Sequence, residues 1–399
     1  MASTEPSRFI LFLPAVPSPP SIASLKAAFG DTIGQVLKEV ASHSPDSRKA
    51  AILEIALACP DLVAHETPRS ALYSTTQAAV AGIYKLVCVI AAKDGIDVED
   101  ADGVDVRVIL VAWSPDGGQR RFQSPRCGPV IDIETLASAK RQWQYAFGVE
   151  SEAGEAMVKA FVAAKKMGDS DTVTKDSKAT SQQGKPTRTT HGEQGAGRGH
   201  DHVAVGGTFD HLHIGHKLLL TMTVFAVDGL PSGATSHERS ATIGITGDQL
   251  LQKKKHAEVL ESWDERQQAV QTYLDSILNF TAQPPQIVRR NEARPNGKSV
   301  DLHYPDGLVV KCTEIQDPFG PTITDEAISA LVISGETRSG GKAVNDKRKA
   351  TGWAELEVFE VDVLDADDEG AGVKVGFESK LSSTAIREKL AKKTASATL

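Results

Sequence analysis

One polar stretch divides this chain. From Gly168 to His200 it reads GDSDTVTKDSKATSQQGKPTRTTHGEQGAGRGH. With almost no large apolar side chain, such a segment cannot bury enough surface to offset the entropy of ordering it. A disordered linker is expected there. On either side the expectation is a folding unit: residues 1–167, an α/β domain of unassigned role, and residues 201–399. A chain of 399 residues, 40% hydrophobic, has enough material for two cores.

Composition narrows the function classes. A formal net charge of −8 argues against a protein whose main work is gripping a nucleic-acid backbone. Cys59, Cys88, Cys127 and Cys312 show no paired spacing and no accompanying Cys/His array, which fits reduced thiols and no metal site. Phe9–Leu13 is apolar, but Pro14 and Pro17 end the run and Glu5 stands where a signal peptide carries positive charge. A first β-strand is expected instead. The apolar stretch Ala78–Ala92 contains Lys85 and is too short to span a bilayer. The expectation is a cytoplasmic protein with no membrane or nucleic-acid partner.

Upstream of the polar stretch, Phe9–Leu13 and Val104–Ala112 read as strands, and Ile22–Val40 and Thr75–Ala91 as helices. No catalytic cluster is visible there, and His43 and His65 read as surface residues. Downstream, strands are expected at Val203–Val205, Ala241–Thr246, Gln286–Arg289, Leu308–Cys312, Leu331–Ser334 and Leu356–Leu364. Helices are expected at Gly215–Val227, Ser262–Phe280, Gly341–Ala350 and Ser382–Lys392. Ser262 with Glu265 makes a capping box. The alternation predicts a Rossmann-like, doubly wound parallel sheet, which binds ligands beyond the carboxyl ends of its strands.

The run GGTFDHLHIGHKLLL, residues 206–220, falls at that edge. Gly206 and Gly207 let the backbone turn sharply and approach a ligand. Thr208 offers a hydroxyl and an N–H. The helix beginning near Gly215 presents unpaired N–H groups and a partial charge of about +0.5, a natural anion site. His213 and His216 flank the helix start, so both imidazoles can point at one place and donate to a polyphosphate. Asp210 is read as a cap of the turn or a part of the site, and His211 as solvent-facing.

His213-Ile214-Gly215-His216 resembles the H-x-G-H signature of the nucleotidyltransferase superfamily. The longer run from Gly206 to His213 resembles the eukaryotic, fungal-type phosphopantetheine adenylyltransferases. Asp248 to Lys255 with Arg266, Asp317-Pro318-Phe319-Gly320-Pro321, Ser334 to Thr337, Gly340 to Arg348, and Ser382-Ser383-Thr384-x-x-Arg387 extend the likeness over residues 202 to about 393. Two departures stand out. Leu381 replaces the usual isoleucine, and Arg338 lies one place earlier than the family's arginine. No G-x-x-x-x-G-K-[ST] element appears, so a fused dephospho-coenzyme A kinase is not expected.

The resemblance implies transfer of AMP from ATP to 4′-phosphopantetheine, giving dephospho-coenzyme A and pyrophosphate. It implies that Thr208 and Lys254 hold the acceptor phosphate, that His216 steadies the α-phosphate and that His213 contacts the ATP phosphates. Ser383 and Thr384 would bind the β- and γ-phosphates, with Gly206, Gly207, Phe209, Gly215 and Ser382 completing the nucleotide site. Asp317, Arg338 and Arg348 are candidate substrate contacts. Mg²⁺ would arrive with ATP, held by phosphates and water. Other coenzyme A enzymes are candidate partners of residues 1–167.

Several readings stay open on the residues alone. Arg387 either adds charge at the nucleotide or is a surface arginine, and Ser382 to Thr384 serve as helix caps, phosphate ligands or both. Lys253 to Lys255 are a solvated run or a site element, and Asp317 to Pro321 a structural turn or a substrate contact. A class I aminoacyl-tRNA synthetase is a rival, because His213 to His216 spell H-I-G-H and Lys380 to Thr384 echo K-M-S-K-S. The absence of a large insertion between those motifs weighs against it. A scaffold for coenzyme A-synthesising enzymes is another class of reading.

Overall fold

The computed structural model describes residues 6–43, 50–63, 67–98, 103–116, 128–170, 198–229, 237–293, 295–362 and 382–397. Most of the expected linker, His65, Cys127, Lys380, Leu381 and the end of the strand expected at Leu356–Leu364 lie outside them.

The first half of the chain runs β1 (Arg8–Leu13), α1 (Ile22–Ser42), β2 (Ala51–Ala58), α2 (Arg69–Asp94), β3 (Val104–Val111), β4 (Val130–Ile131), α3 (Ile133–Ser138), β5 (Tyr145–Gly148) and α4 (Glu152–Ser170). Its sheet has the order β4-β3-β2-β1-β5, with every neighbouring pair parallel. Strand β2 (AILEIALA) adds to the strands expected from the sequence. Glu54 breaks its apolar run, yet Glu54 is fully buried, because Arg8, Arg141 and the Trp143 indole N–H bond its carboxylate.

The second half runs β6 (His202–Gly207), α5 (Ile214–Ala226), β7 (Arg239–Thr246), α6 (Trp263–Leu278), β8 (Gln286–Asn291), β9 (Lys298–His303), β10 (Leu308–Ile315), β11 (Ala330–Ser334), α7 (Arg338–Ala350), β12 (Glu357–Val361) and α8 (Ser383–Ala397). The order is β12-β11-β6-β7-β10-β9-β8. The five strands from β12 to β10 are mutually parallel, but β9 and β8 join antiparallel. The expected all-parallel sheet is therefore mixed. The hairpin from β8 into β9 needs only a short connection, and the exposed β8, carrying Arg289 and Arg290, makes a charged edge.

Helix α2 is longer than the sequence pattern indicated. It spans 26 residues, with a window of mean hydropathy 1.5, so by length and composition it could cross a membrane. Its apolar faces are used otherwise. Val80, Tyr84, Val87 and Ala91 are buried in a core that continues through Leu218, Met222 and Phe225 of α5 to Tyr273 and Ile277 of α6. One apolar core thus spans the facing sides of both sheets. A separate cluster, including Met157 and Phe161 of α4, covers the far face of the first sheet, and another, including Val344 of α7, covers the far face of the second.

Candidate functional site

Strand β6 is the point at which the second sheet changes direction. The chain builds β7 and β10 on one side of it and then returns to lay β11 on the other. The crevice beyond the carboxyl ends at such a switch point is where this architecture takes ligands. A cavity of about 840 Å³ lies there, bounded by Gly206, Thr208, His216, Lys254, Ser334 and Thr384 among others.

The turn from β6 into α5 is not made by the glycines expected to make it. Gly206 and Gly207 are the last residues of β6. The left-handed residues are Phe209, at φ 53°, and His211, at φ 46°, conformations that side chains disfavour. Neighbours hold them there. The His211 N–H donates to Glu261 Oε2 at 2.7 Å, and the His211 Nε2 lies 2.9 Å from the Val259 carbonyl. His211 is therefore a bonded, largely covered residue, not a solvent-facing one. Phe209 is fully buried beneath the site, with its ring 5.4 Å from that of His216.

His213 is the N-cap of α5. Its Nδ1 accepts from the Gly215 N–H at 3.2 Å, which leaves Nε2 as the protonated nitrogen. Gly215 leaves room for this contact, because a Cβ there would come within 3.1 Å of the His213 ring. The imidazoles of His213 and His216 stack with centroids 3.9 Å apart and planes 25° apart. Burial, aided by the nearby Lys217 ammonium, lowers the His213 pKa to about 4. Burial, then His213 itself, holds His216 well below its ordinary value. Both rings are neutral near pH 7, so each is a hydrogen-bond donor that brings no charge. The His216 Nδ1 is buried without a protein partner.

Around the histidines the cavity wall carries Gly206, Gly207, Thr208 and Gly215, together with Ser382, Ser383, Thr384 and Arg387 at the start of α8. Ser383 Oγ donates to the Asp210 carbonyl at 2.9 Å, and Ser382 Oγ accepts from the Ala385 N–H at 3.3 Å, so capping and cavity lining coincide. Arg387 is not a surface residue. It is 3% exposed and pairs with the fully buried Asp210. Of the three lysines, Lys254 lines the cavity; Lys255 contributes its carbonyl to Arg387 Nε at 3.0 Å.

Arg266 fixes the loops behind the site. This fully buried guanidinium donates to the carbonyls of Thr208 (2.6 Å), Thr246 (2.8 Å) and Glu261 (3.0 Å) and to Asp248 Oδ1 (2.7 Å). The capping box expected at Ser262 and Glu265 is present and starts α6 beside it.

The remaining candidates separate. Asp317 borders the cavity, while its Oδ1 accepts from the N–H groups of Phe319 and Gly320 at 2.7 and 2.8 Å, so its carboxylate shapes a turn. Arg338 is not among the residues lining the cavity; it is exposed and pairs with Glu360 on β12. Arg348 is also absent from that wall. It is 1% exposed and donates to the carbonyls of Thr322 (2.7 Å), Ala354 (2.8 Å) and Ile328 (3.1 Å). Sequence reasoning missed Glu261 and Asp362, which are single acidic residues outside any recognisable pattern. The first braces the turn at His211, and the second borders the cavity at the end of β12.

One family match ends inside the polar stretch that divides the chain. A family model described as a domain of unknown function, DUF8446, matches residues 1–186. An uncharacterized protein of Schizosaccharomyces pombe is 37% identical over 190 residues, 47% of this chain and 48% of that protein. The phosphopantetheine adenylyltransferase of Saccharomyces cerevisiae is 35% identical over 196 residues, 49% of this chain and 50% of that protein. The matched region thus spans about half the length of these two relatives. The phosphopantetheine adenylyltransferase of Methanothermobacter thermautotrophicus is 30% identical over 166 residues, which cover 42% of this chain and 76% of that protein.

Proposed function

The chain belongs to the phosphopantetheine adenylyltransferase family, and from that premise we propose that it is a nucleotidyltransferase that moves AMP from ATP to 4′-phosphopantetheine in coenzyme A biosynthesis. The products are dephospho-coenzyme A and pyrophosphate. An acceptor phosphate oxygen attacks the α-phosphorus in line, the bond to the bridging oxygen breaks, and pyrophosphate leaves with its electron pair.

The nucleophile is already ionised at neutral pH, so the site needs no general base. Positioning and stabilisation of developing charge suffice. In this reading Thr208 and Lys254 align the acceptor phosphate. The neutral His216, backed by the stacked His213, donates to the α-phosphate, and Ser383, Thr384 and the N-terminus of α8 receive the β- and γ-phosphates. Arg387 acts from behind, holding α8 to Asp210. Mg²⁺ would ride on the triphosphate and neutralise phosphate charge.

The observation that carries this reading is the meeting of His213, His216, Thr208, Lys254 and Thr384 on one cavity at the switch point of the sheet. The test is pyrophosphate release from ATP with 4′-phosphopantetheine as acceptor, in wild type and His216→Ala. Release that depends on the acceptor and falls by on the order of a hundredfold in the variant is expected, the scale of removing one transition-state donor. No acceptor dependence, or unchanged turnover in a folded His216→Ala protein, refutes it.

A further inference from the structure

The first half of the chain reaches the two helices whose N-termini bound the cavity. Lys217 follows His216 directly on α5. Its ammonium is 7% exposed and donates to Asp105 Oδ1 at 2.6 Å and to the Val106 carbonyl at 3.2 Å, both on β3. Its backbone is held too: the Lys217 carbonyl accepts from Tyr273 Oη at 3.1 Å and Thr221 Oγ1 at 2.8 Å. Behind Tyr273, at 3.3 Å, stands the hydroxyl of Tyr84 on α2, which accepts from the Val108 N–H of β3. On α8, Lys389 Nζ lies 2.5 Å from Asp97 Oδ2, just beyond the end of α2. A third contact joins Gln77 of α2 to Asp362 at the cavity edge, at 3.2 Å.

We propose that Asp105 and Asp97 are positioning residues for the transferase site, one carboxylate fixing α5 and the other α8. The first half of the chain thereby sets the separation of the two halves of the phosphate cradle. This rests on the function proposed above. The physical reason is the geometry of a helix. Lys217 sits in the first turn of α5, so anchoring its ammonium restrains the turn that carries the His213–His216 pair, and an ångström of misplacement in a preorganised site weakens catalysis strongly. Asp105 is suited to the task. It is shared between Lys217 and Arg107, and these two cations hold its carboxyl well below the usual range against the opposing effect of burial. The Asp97 pair is more exposed and weaker, at 48% and 35% side-chain exposure for Lys389 and Asp97.

The test compares Asp105→Asn, Lys217→Met and Asp97→Ala in the full chain, with Lys159→Ala, which breaks a surface pair within α4, as control. Two measurements are made on each: kcat and KM for pyrophosphate release, and the NMR signals of ring-labelled His213 and His216. Asp105→Asn and Lys217→Met are expected to shift both histidine signals and to lower kcat by on the order of tenfold, with KM for 4′-phosphopantetheine unchanged. Asp97→Ala is expected to raise KM for ATP severalfold with kcat retained. If Asp105→Asn does not fold, Lys217→Met decides, since it leaves Asp105 paired with Arg107. Folded variants with wild-type kinetics and unshifted histidines overturn the proposal, as does a lowered melting temperature alone. Should the wild type release no pyrophosphate, the proposed function fails, and the histidine signals still decide whether Asp105 positions α5.

Discussion

Asp210 and Arg387, 177 residues apart in sequence, form a buried ion pair that joins the turn before α5 to the first turns of α8. The two motif-bearing segments are thus linked through charge as well as through a shared cavity. Removing one partner strands the other in a poorly solvated place. Asp210→Asn is expected to destabilise the protein by about 3–5 kcal/mol, the usual scale for breaking a buried pair. Denaturant unfolding measures it. A loss below about 1 kcal/mol would mean that water reaches Arg387 freely.

Acid should weaken the fold through His213. The unfolded chain titrates this group at its ordinary 6.5, and the folded chain at about 4. Between those values the unfolded state binds more protons, so stability is complete above about pH 6.5 and declines as pH falls toward 4. The contribution is about 3 kcal/mol. Thermal melts of wild type and His213→Gln between pH 4 and 8 should diverge in that window, with the variant less sensitive. Similar slopes would contradict a buried neutral imidazole.

Gly206 separates folding from binding. A Cβ built there meets no atom within 4 Å, because that side of the strand faces open space at the cavity. Gly206→Val should leave the melting temperature nearly unchanged, since a β-branched residue suits a strand end. ATP affinity measured by calorimetry should fall by on the order of tenfold, about 1.4 kcal/mol. Unchanged affinity would move the nucleotide away from β6.

Arg348 makes the opposite case. Its guanidinium is spent on backbone carbonyls, away from the cavity. Arg348→Met is expected to lower stability by about 3 kcal/mol or more, through carbonyls left unsatisfied. KM for both substrates should stay within about twofold at temperatures where the variant is folded. A selective rise in KM for 4′-phosphopantetheine would restore Arg348 to the substrate site.

What the sequence disclosed and what it hid follow from the range of the interactions involved. The alternation of strands and helices, the start of α5 and the capping box at Ser262 depend on neighbours a few residues apart. Chemistry at that range leaves a local pattern. The burial of Glu54, the pairing of Arg387 and the carbonyl cluster around Arg348 depend on partners far away in sequence. A charged residue in an apolar run then looks like an interruption, as Glu54 does in β2. Glycine permits unusual angles at Gly206 and Gly207, yet Phe209 and His211 adopt them, the latter held by Glu261 and Val259 some fifty positions on. The start of helix α2 before Thr75 is hidden because Arg69 to Ser74, of which only Tyr73 is buried, carry no clear apolar period.

The continuous core through α2, α5 and α6 bears on how the chain would respond to cutting. A protease acting within the Gly-, Ser- and Lys-rich segment would sever the backbone without separating the products. Each piece would keep its grip on the other through Tyr84 against Tyr273 and Lys217 against Asp105. Nicked material should therefore co-purify as one particle, and either fragment made alone would bare a broad oily surface and precipitate.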